Sequence, residues 1–163
     1  MVPIRARAPK GERALGKAPK NWDKNVTLIS SISLKGMGPS MSIEGSADGE
    51  AYVVLYVEHF LCPELKPGQI VVMDNLQVHK TKRVRELIEG RGCQLVFLPS
   101  YSPDFNPIEE AFSKVKTLLR KAKARSFEAL VEATGAALCA VSKQDTLGFF
   151  AHCGYPTPQV QSL

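Results

Sequence analysis

From Val26 the chain alternates: Val26, Leu28, Ser30, Ile32 and Leu34 fall on one side, Thr27, Ile29, Ser31 and Ser33 on the other. A period of two predicts a strand. Gly36 to Pro39 punctuates it, and Met41 and Ile43 resume the alternation, which predicts a second strand folding back antiparallel. Residues 50–61 are apolar over about three turns and follow Asp48, a helix-capping residue type, so they read as a helix with a buried face. Pro67 and Gly68 introduce Ile70, Val71, Val72 and Met73, a continuous apolar run that suits a strand covered on both faces. Val84, Leu87 and Ile88 then share one helical face before Gly90 and Gly92, and Gln94 to Leu98 reads as another strand. Strand, helix, strand is a βαβ unit, hence a parallel pair with a right-handed crossover. Pro99, Pro103 and Pro107 hold residues 99–107 in a stiff extended loop, because each fixes its own φ and biases its predecessor away from helix. Ile108, Ala111, Phe112, Val115 and Leu119 recur at helical spacing to about Ala124, with Pro107 in the first turn, where its missing N–H is harmless. A further helix begins near Ser126 and carries Leu130, Val131, Thr134, Leu138 and Val141 on one stripe that would pack over the sheet.

With 163 residues, 44% of them hydrophobic and 23% charged, the chain suits one globular domain with its own core. There is no run long enough to span a membrane and no signal-type apolar block, which predicts a soluble, cytoplasmic protein. Cys62, Cys93, Cys139 and Cys153 lie far apart and lack CxxC spacing, so reduced thiols are expected. The net charge of +5 is uneven. Residues 1–24 hold seven Lys or Arg against Glu12 and Asp23, interrupted by Pro and Gly, and read as a basic arm that Trp22 could anchor against the domain. A second basic zone, from Lys114 and Lys116 to Arg120, Lys121, Lys123 and Arg125, contains no acid. Such zones fit a polyanionic partner, and equally a solvated face.

Ligands of open α/β sheets bind beyond the carboxyl ends of parallel strands. Asp74 follows such a strand in Val71-Val72-Met73-Asp74-Asn75, and Glu109 opens the helix after the next one. Both carboxylates should therefore approach the same edge. Each also has a plainer explanation, Asp74-Asn75 as a turn or cap and Glu109 as an acid favoured by the helix dipole.

The segment Leu98-Pro99-Ser100-Tyr101-Ser102-Pro103-Asp104-Phe105-Asn106-Pro107-Ile108-Glu109, with Met73-Asp74-Asn75 and His79 upstream, resembles the catalytic core of insertion-sequence transposases of the mariner superfamily, DDE superfamily endonucleases. Residues 75 to 108 separate Asp74 from Glu109, matching that family's spacing of about 34 between its second Asp and its Glu. Arg7-Ala8-Pro9-Lys10-Gly11 and Phe149-Phe150-Ala151-His152-Cys153-Gly154-Tyr155 extend the resemblance over nearly the whole chain. It implies an α/β, RNase H-like mixed sheet flanked by helices, with residues 1–24 an arm, 25–155 the catalytic domain and 156–163 a tail. It also implies DNA cleavage and strand transfer at insertion-sequence ends with two Mg²⁺ or Mn²⁺ ions, Asp74 and Glu109 acting as catalytic metal ligands. Asn75 and His79 would support them or touch DNA. Arg5, Arg7, Lys10, Arg13, Lys114, Lys116, Arg120 and Lys121 would contact the DNA backbone. Tyr101, Asp104 and Asn106 would shape the loop.

The family's first Asp, at the end of an initial strand, has no counterpart before Arg7-Ala8-Pro9-Lys10-Gly11, and neither Asp23 nor Asp48 ends a suitable strand. The resemblance thus implies a carboxy-terminal fragment lacking the first strand and the DNA-recognition domains, with much reduced activity on its own and an open sheet edge beside the Val26 strand. A homo-oligomer or a complementing upstream fragment could cover that edge. The competing reading is a non-catalytic DNA-binding remnant or regulator of the full-length transposase; another RNase H-like nuclease or a resolvase fits the spacing and the Pro-rich loop less well. His59 with Cys62 and His152 with Cys153 lack a four-ligand pattern and read as packing, as do Tyr52, Tyr56 and Phe60.

Overall fold

In the computed structural model, residues 9–11, 26–45, 49–124 and 126–157 are described. Most of the basic arm, including Arg5, Arg7, Arg13, Trp22 and Asp23, together with Asp48, Arg125 and the end of the tail, lies outside them. Strand β1 (Val26–Ser33) pairs antiparallel with β2 (Gly36–Glu44). The turn is only Leu34-Lys35, and Gly36 follows it at φ 135, a left-handed conformation that glycine accepts without strain. The second strand accordingly starts at Gly36, earlier than the alternation of Met41 and Ile43 suggested. A register shift between Ser30 and Ile32 makes a bulge, and the hairpin touches two cores: Ile29 and its partner Met41 reach the first, Ile32 and its partner Met37 the second.

The first core gathers Val53, Tyr56, Val57, Leu61, Val84, Ile88 and Leu95. Helix α1 (Gly49–Tyr56) continues through wider turns at Val57–Leu61, and Tyr56 is anchored by its hydroxyl, which donates to the Pro39 carbonyl at 2.8 Å. Helix α2 (Lys82–Glu89) is capped by Thr81, whose hydroxyl accepts from the Val84 N–H. It crosses between β3 (Ile70–Met73) and β4 (Gln94–Phe97), which pair in parallel from Ile70 opposite Gln94 to Met73 opposite Phe97. The βαβ unit is thus as expected, but the covering of both faces is not. Val71, Met73, Leu95 and Phe97 face the core, whereas Ile70, Val72 and Val96 are 61%, 41% and 37% exposed. Among the described residues the ladder is two strands wide, and α1 and α2 cover one side of it.

Helix α3 (Pro107–Ala122) buries Ala111 and Val115 against Ala137 of α4 (Phe127–Cys139) and Val141 beyond it, forming the second core. Helix α4 therefore packs mainly on α3 and only reaches the hairpin side. A further helix, α5 (Lys143–His152), is begun by a capping box in which Ser142 and Asp145 satisfy each other's backbone N–H groups. Among the described residues the strands form two separate two-stranded sheets, not one continuous mixed sheet. No helix among the described residues is long and apolar enough to cross a membrane.

Candidate functional site

The carboxyl ends of β3 and β4 lie side by side, and the ladder continues past them, Leu98 N–H donating to the Met73 carbonyl at 2.8 Å. The loop that carries Asp74 and the loop that leads on to Glu109 in α3 therefore leave one edge. They are tied together there: Asn75 Nδ2 donates to Ser100 Oγ at 2.5 Å.

Asp74 is half-buried and held by its own loop. Its Oδ1 accepts from the Leu76 N–H at 3.2 Å and from His79 Nδ1 at 2.6 Å, His79 being supplied by the turn Gln77–His79. A carboxylate oxygen accepts only, so the proton of this bond sits on Nδ1. No described hydrogen bond engages Oδ2, so one oxygen is locked while the other remains a free ligand.

Glu109 reaches its place through the Pro-rich loop. A turn at Pro103–Phe105 closes with Asn106 N–H on the Pro103 carbonyl at 2.9 Å, and Glu109 N–H donates to the Asn106 carbonyl at 3.0 Å as α3 begins. The neighbouring acid, Glu110, is committed elsewhere, its Oε1 pairing with His152 Nδ1. Glu109 is exposed and has no ion pair among the described residues.

The carboxylates suit a hard divalent cation in donor type. Asp74 offers a preorientated, unengaged oxygen and Glu109 an uncommitted side chain, so the residues present fit such an ion as a partial ligand set. Among the described residues, no three His, Cys, Asp or Glu gather around one point.

The remaining candidates separate. Lys114 Nζ is 2.5 Å from Asp145 Oδ2, so its charge is engaged within the protein. Lys10, Lys116 and Lys121 are exposed and Arg120 half-buried. His59 is exposed while Cys62 is buried with its thiol on the Leu87 carbonyl, and His152 pairs with Glu110 while Cys153 is buried. Burial pushes both thiols above their usual range, which keeps them protonated. Tyr56 and Phe60 stack at 6.0 Å within the first core.

The sequence reading did not anticipate α5 or what its end does. Tyr155 Oη donates to the Phe105 carbonyl at 2.9 Å, and its ring meets Phe150 edge-on at 5.6 Å. With the His152–Glu110 pair, this braces the loop and first turn that present Glu109. The readable signal was Ser142-x-x-Asp145, a helix start with an acid at the third position.

The family model described as DDE superfamily endonuclease matches residues 1–131. Among solved structures, the Mos1 transposase paired-end complex with left transposon end aligns with a TM-score of 0.72 at 16% identity, over 91% of this chain and 46% of that one. The catalytic domain of Mos1 mariner transposase aligns at 0.63 and 16% identity, over 80% of this chain and 68% of that one. The Mos1 mariner paired end complex with Mn aligns at 0.65 and 17% identity, over 91% and 46%. The chain thus spans about half the length of the transposase chains in the two complexes. These likenesses establish the RNase H-like fold. No curated protein sequence matches the chain.

Proposed function

Since the chain belongs to the DDE superfamily endonucleases, we propose that it is the catalytic portion of a transposase acting on DNA at insertion-sequence ends, with Asp74 and Glu109 as two of its metal-binding carboxylates. The observation that supports this reading is the bond between Asn75, next to Asp74, and Ser100, in the loop that leads to Glu109 at the start of α3, with Asp74 Oδ2 and the Glu109 carboxylate outside any described hydrogen bond.

A bound Mg²⁺ or Mn²⁺ would lower the pKa of an attacking water or 3′ hydroxyl and neutralise charge on the scissile phosphate. The chain's own residues supply the framework. His79 and the Leu76 N–H hold Asp74 Oδ1 and leave Oδ2 outside any described hydrogen bond, as the oxygen that would bind the ion. Asn75 fixes the spacing of the two loops, and Pro107 starts α3 so that Glu109 falls in its first turn. Exposed Lys10, Lys116 and Lys121, with Arg120 and the arm residues Arg5, Arg7 and Arg13, would attract the DNA backbone by charge alone, giving affinity that falls steeply with salt. Lys114 belongs with them only if DNA draws it from Asp145.

A second reading is a non-catalytic DNA-binding remnant or regulator acting through the same basic residues. A third carboxylate supplied by an upstream fragment or a second copy would reconcile the two. Strand cleavage of supercoiled DNA in Mn²⁺ decides between them. The catalytic reading expects slow nicking, faster with an upstream fragment present and abolished in Asp74→Asn and Glu109→Gln. Nicking unaffected by either substitution, or none under any condition, leaves the remnant reading.

A further inference from the structure

Tyr101, in the loop between β4 and α3, adopts φ 58, in the left-handed region that residues other than glycine rarely enter. Its side chain is completely exposed. Among the described residues it has no hydrogen bond or ring contact, so the ring contributes nothing to the free protein that would offset the backbone strain. The strain is held from both sides. Ser100 Oγ accepts from Asn75 at 2.5 Å, Ser102 Oγ donates to the Ser100 carbonyl at 3.4 Å, and Phe105 N–H donates to the Ser102 carbonyl at 3.2 Å. Pro99 and Pro103 restrict the flanks further. Strained residues persist where the surroundings over-determine them, and they concentrate at ligand clamps. Phe105, four residues on, is 51% exposed in the same loop.

A rigid loop that presents an aromatic face to water, beside the Asp74–Glu109 edge, has the properties of a stacking platform. We infer that Tyr101 binds DNA directly, stacking its ring on a base that has left the duplex next to the site of cleavage. The sequence reading had given Tyr101 a role in shaping the loop, but a side chain without contacts shapes nothing. The inference rests on the proposed action on DNA and assigns a contact within it. Stacking accepts any base, so the residue would hold the strand in place without reading its sequence.

The test compares wild-type protein with Tyr101→Gly, Tyr101→Phe and Tyr101→Trp for binding to a fluorescently labelled duplex with a single-stranded overhang and to the blunt duplex, at one fixed salt concentration. Glycine relieves the positive φ, so Tyr101→Gly should melt no lower than wild type, which separates lost contact from lost fold. It should bind the overhang about ten-fold more weakly and the blunt duplex within about two-fold of wild type, while Phe and Trp retain the overhang affinity. Wild-type affinity in Tyr101→Gly overturns the inference and leaves the function standing. An equal loss on both DNAs, or a loss in Tyr101→Phe as large as in Tyr101→Gly, also overturns stacking. Wild-type protein that binds neither DNA sinks the inference together with the proposed function.

Discussion

Asp145 carries more local stability than its position near the surface suggests. Its Oδ2 accepts from Lys114 Nζ at 2.5 Å, from the Ser142 hydroxyl at 2.7 Å and from the Ser142 N–H at 2.8 Å. These donors, Lys114 first, hold its pKa at about 2, against an ordinary 3.8. At about 1.36 kcal/mol for each pH unit the full difference is ~2.5 kcal/mol. Partial exposure lets solvent screen the pair and brings the expected contribution to about 1 kcal/mol. Because the folded pKa is depressed, this stability is present above the ordinary carboxylate pKa and lost as pH falls through the folded value. Urea unfolding of wild type and Asp145→Asn should therefore show a gap of about 1 kcal/mol near neutrality that closes as pH falls below about 2. Lys114→Met should cost a similar amount, and the double variant little more than either, since both remove one interaction. A gap independent of pH, or additive losses, would refute the assignment of Lys114 to the α3–α5 contact and return it to the set of DNA-binding lysines.

The His152–Glu110 pair behaves with the opposite sign. Glu110 raises the His152 pKa, so the pair's contribution is complete below the ordinary imidazole value and disappears as pH rises through the raised one. His152→Asn should be less stable than wild type in mildly acidic buffer and equal to it in alkaline buffer; a gap that widens with pH would contradict this. Ile88 is fully buried and Val72 41% exposed. Ile88→Ala should cost ~2–5 kcal/mol in chemical unfolding, while Val72→Thr should cost under about 0.5 kcal/mol and reduce light scattering on heating. Similar costs would mean that the outer face of β3–β4 is covered in solution. If Lys116 and Lys121 each meet a phosphate, replacing either by Gln should lower the slope of log affinity against log salt by about 1, and Lys114→Gln should leave it nearly unchanged.

The βαβ unit was legible because its signals are local: an apolar run, a stripe at helical spacing, and glycines ending the helix before the next run. The antiparallel hairpin was legible for the same reason, but its turn was misplaced. Gly36 and Met37 lack the alternation of a strand, yet they pair with Ser33 and Ile32 because Gly36 supplies the left-handed turn geometry. The exposure of Ile70, Val72 and Val96 could not be read from the letters, since a continuous apolar run does not reveal how many of its faces the remaining chain covers. Helix α5 escaped for another reason. Thr146 is among its buried residues, and Gly148 lies within it, so its apolar stripe is weak and its capping box is the main local mark. At the candidate site, Asp74 and Glu109 followed from position after parallel strands and from the spacing of the resembling family. His79 was named as a support on the strength of the resemblance, but the oxygen that it holds, and the engagement of Glu110 by His152, depend on side-chain directions that spacing does not encode. Neither did the strain at Tyr101, whose φ is a property of the folded loop.

Sharing of one cation by Asp74 and Glu109 is most directly tested by iron-directed backbone cleavage. Fe²⁺ replaces Mg²⁺ at oxygen-rich sites and, with ascorbate and peroxide, cuts the polypeptide where it is bound. Paired cuts beside Asp74 and beside Glu109, both suppressed by excess Mn²⁺ and both lost in Asp74→Asn, are the expected result. Cuts beside only one of the two, or a pattern that persists in Asp74→Asn, would show that the carboxylates do not hold a common ion.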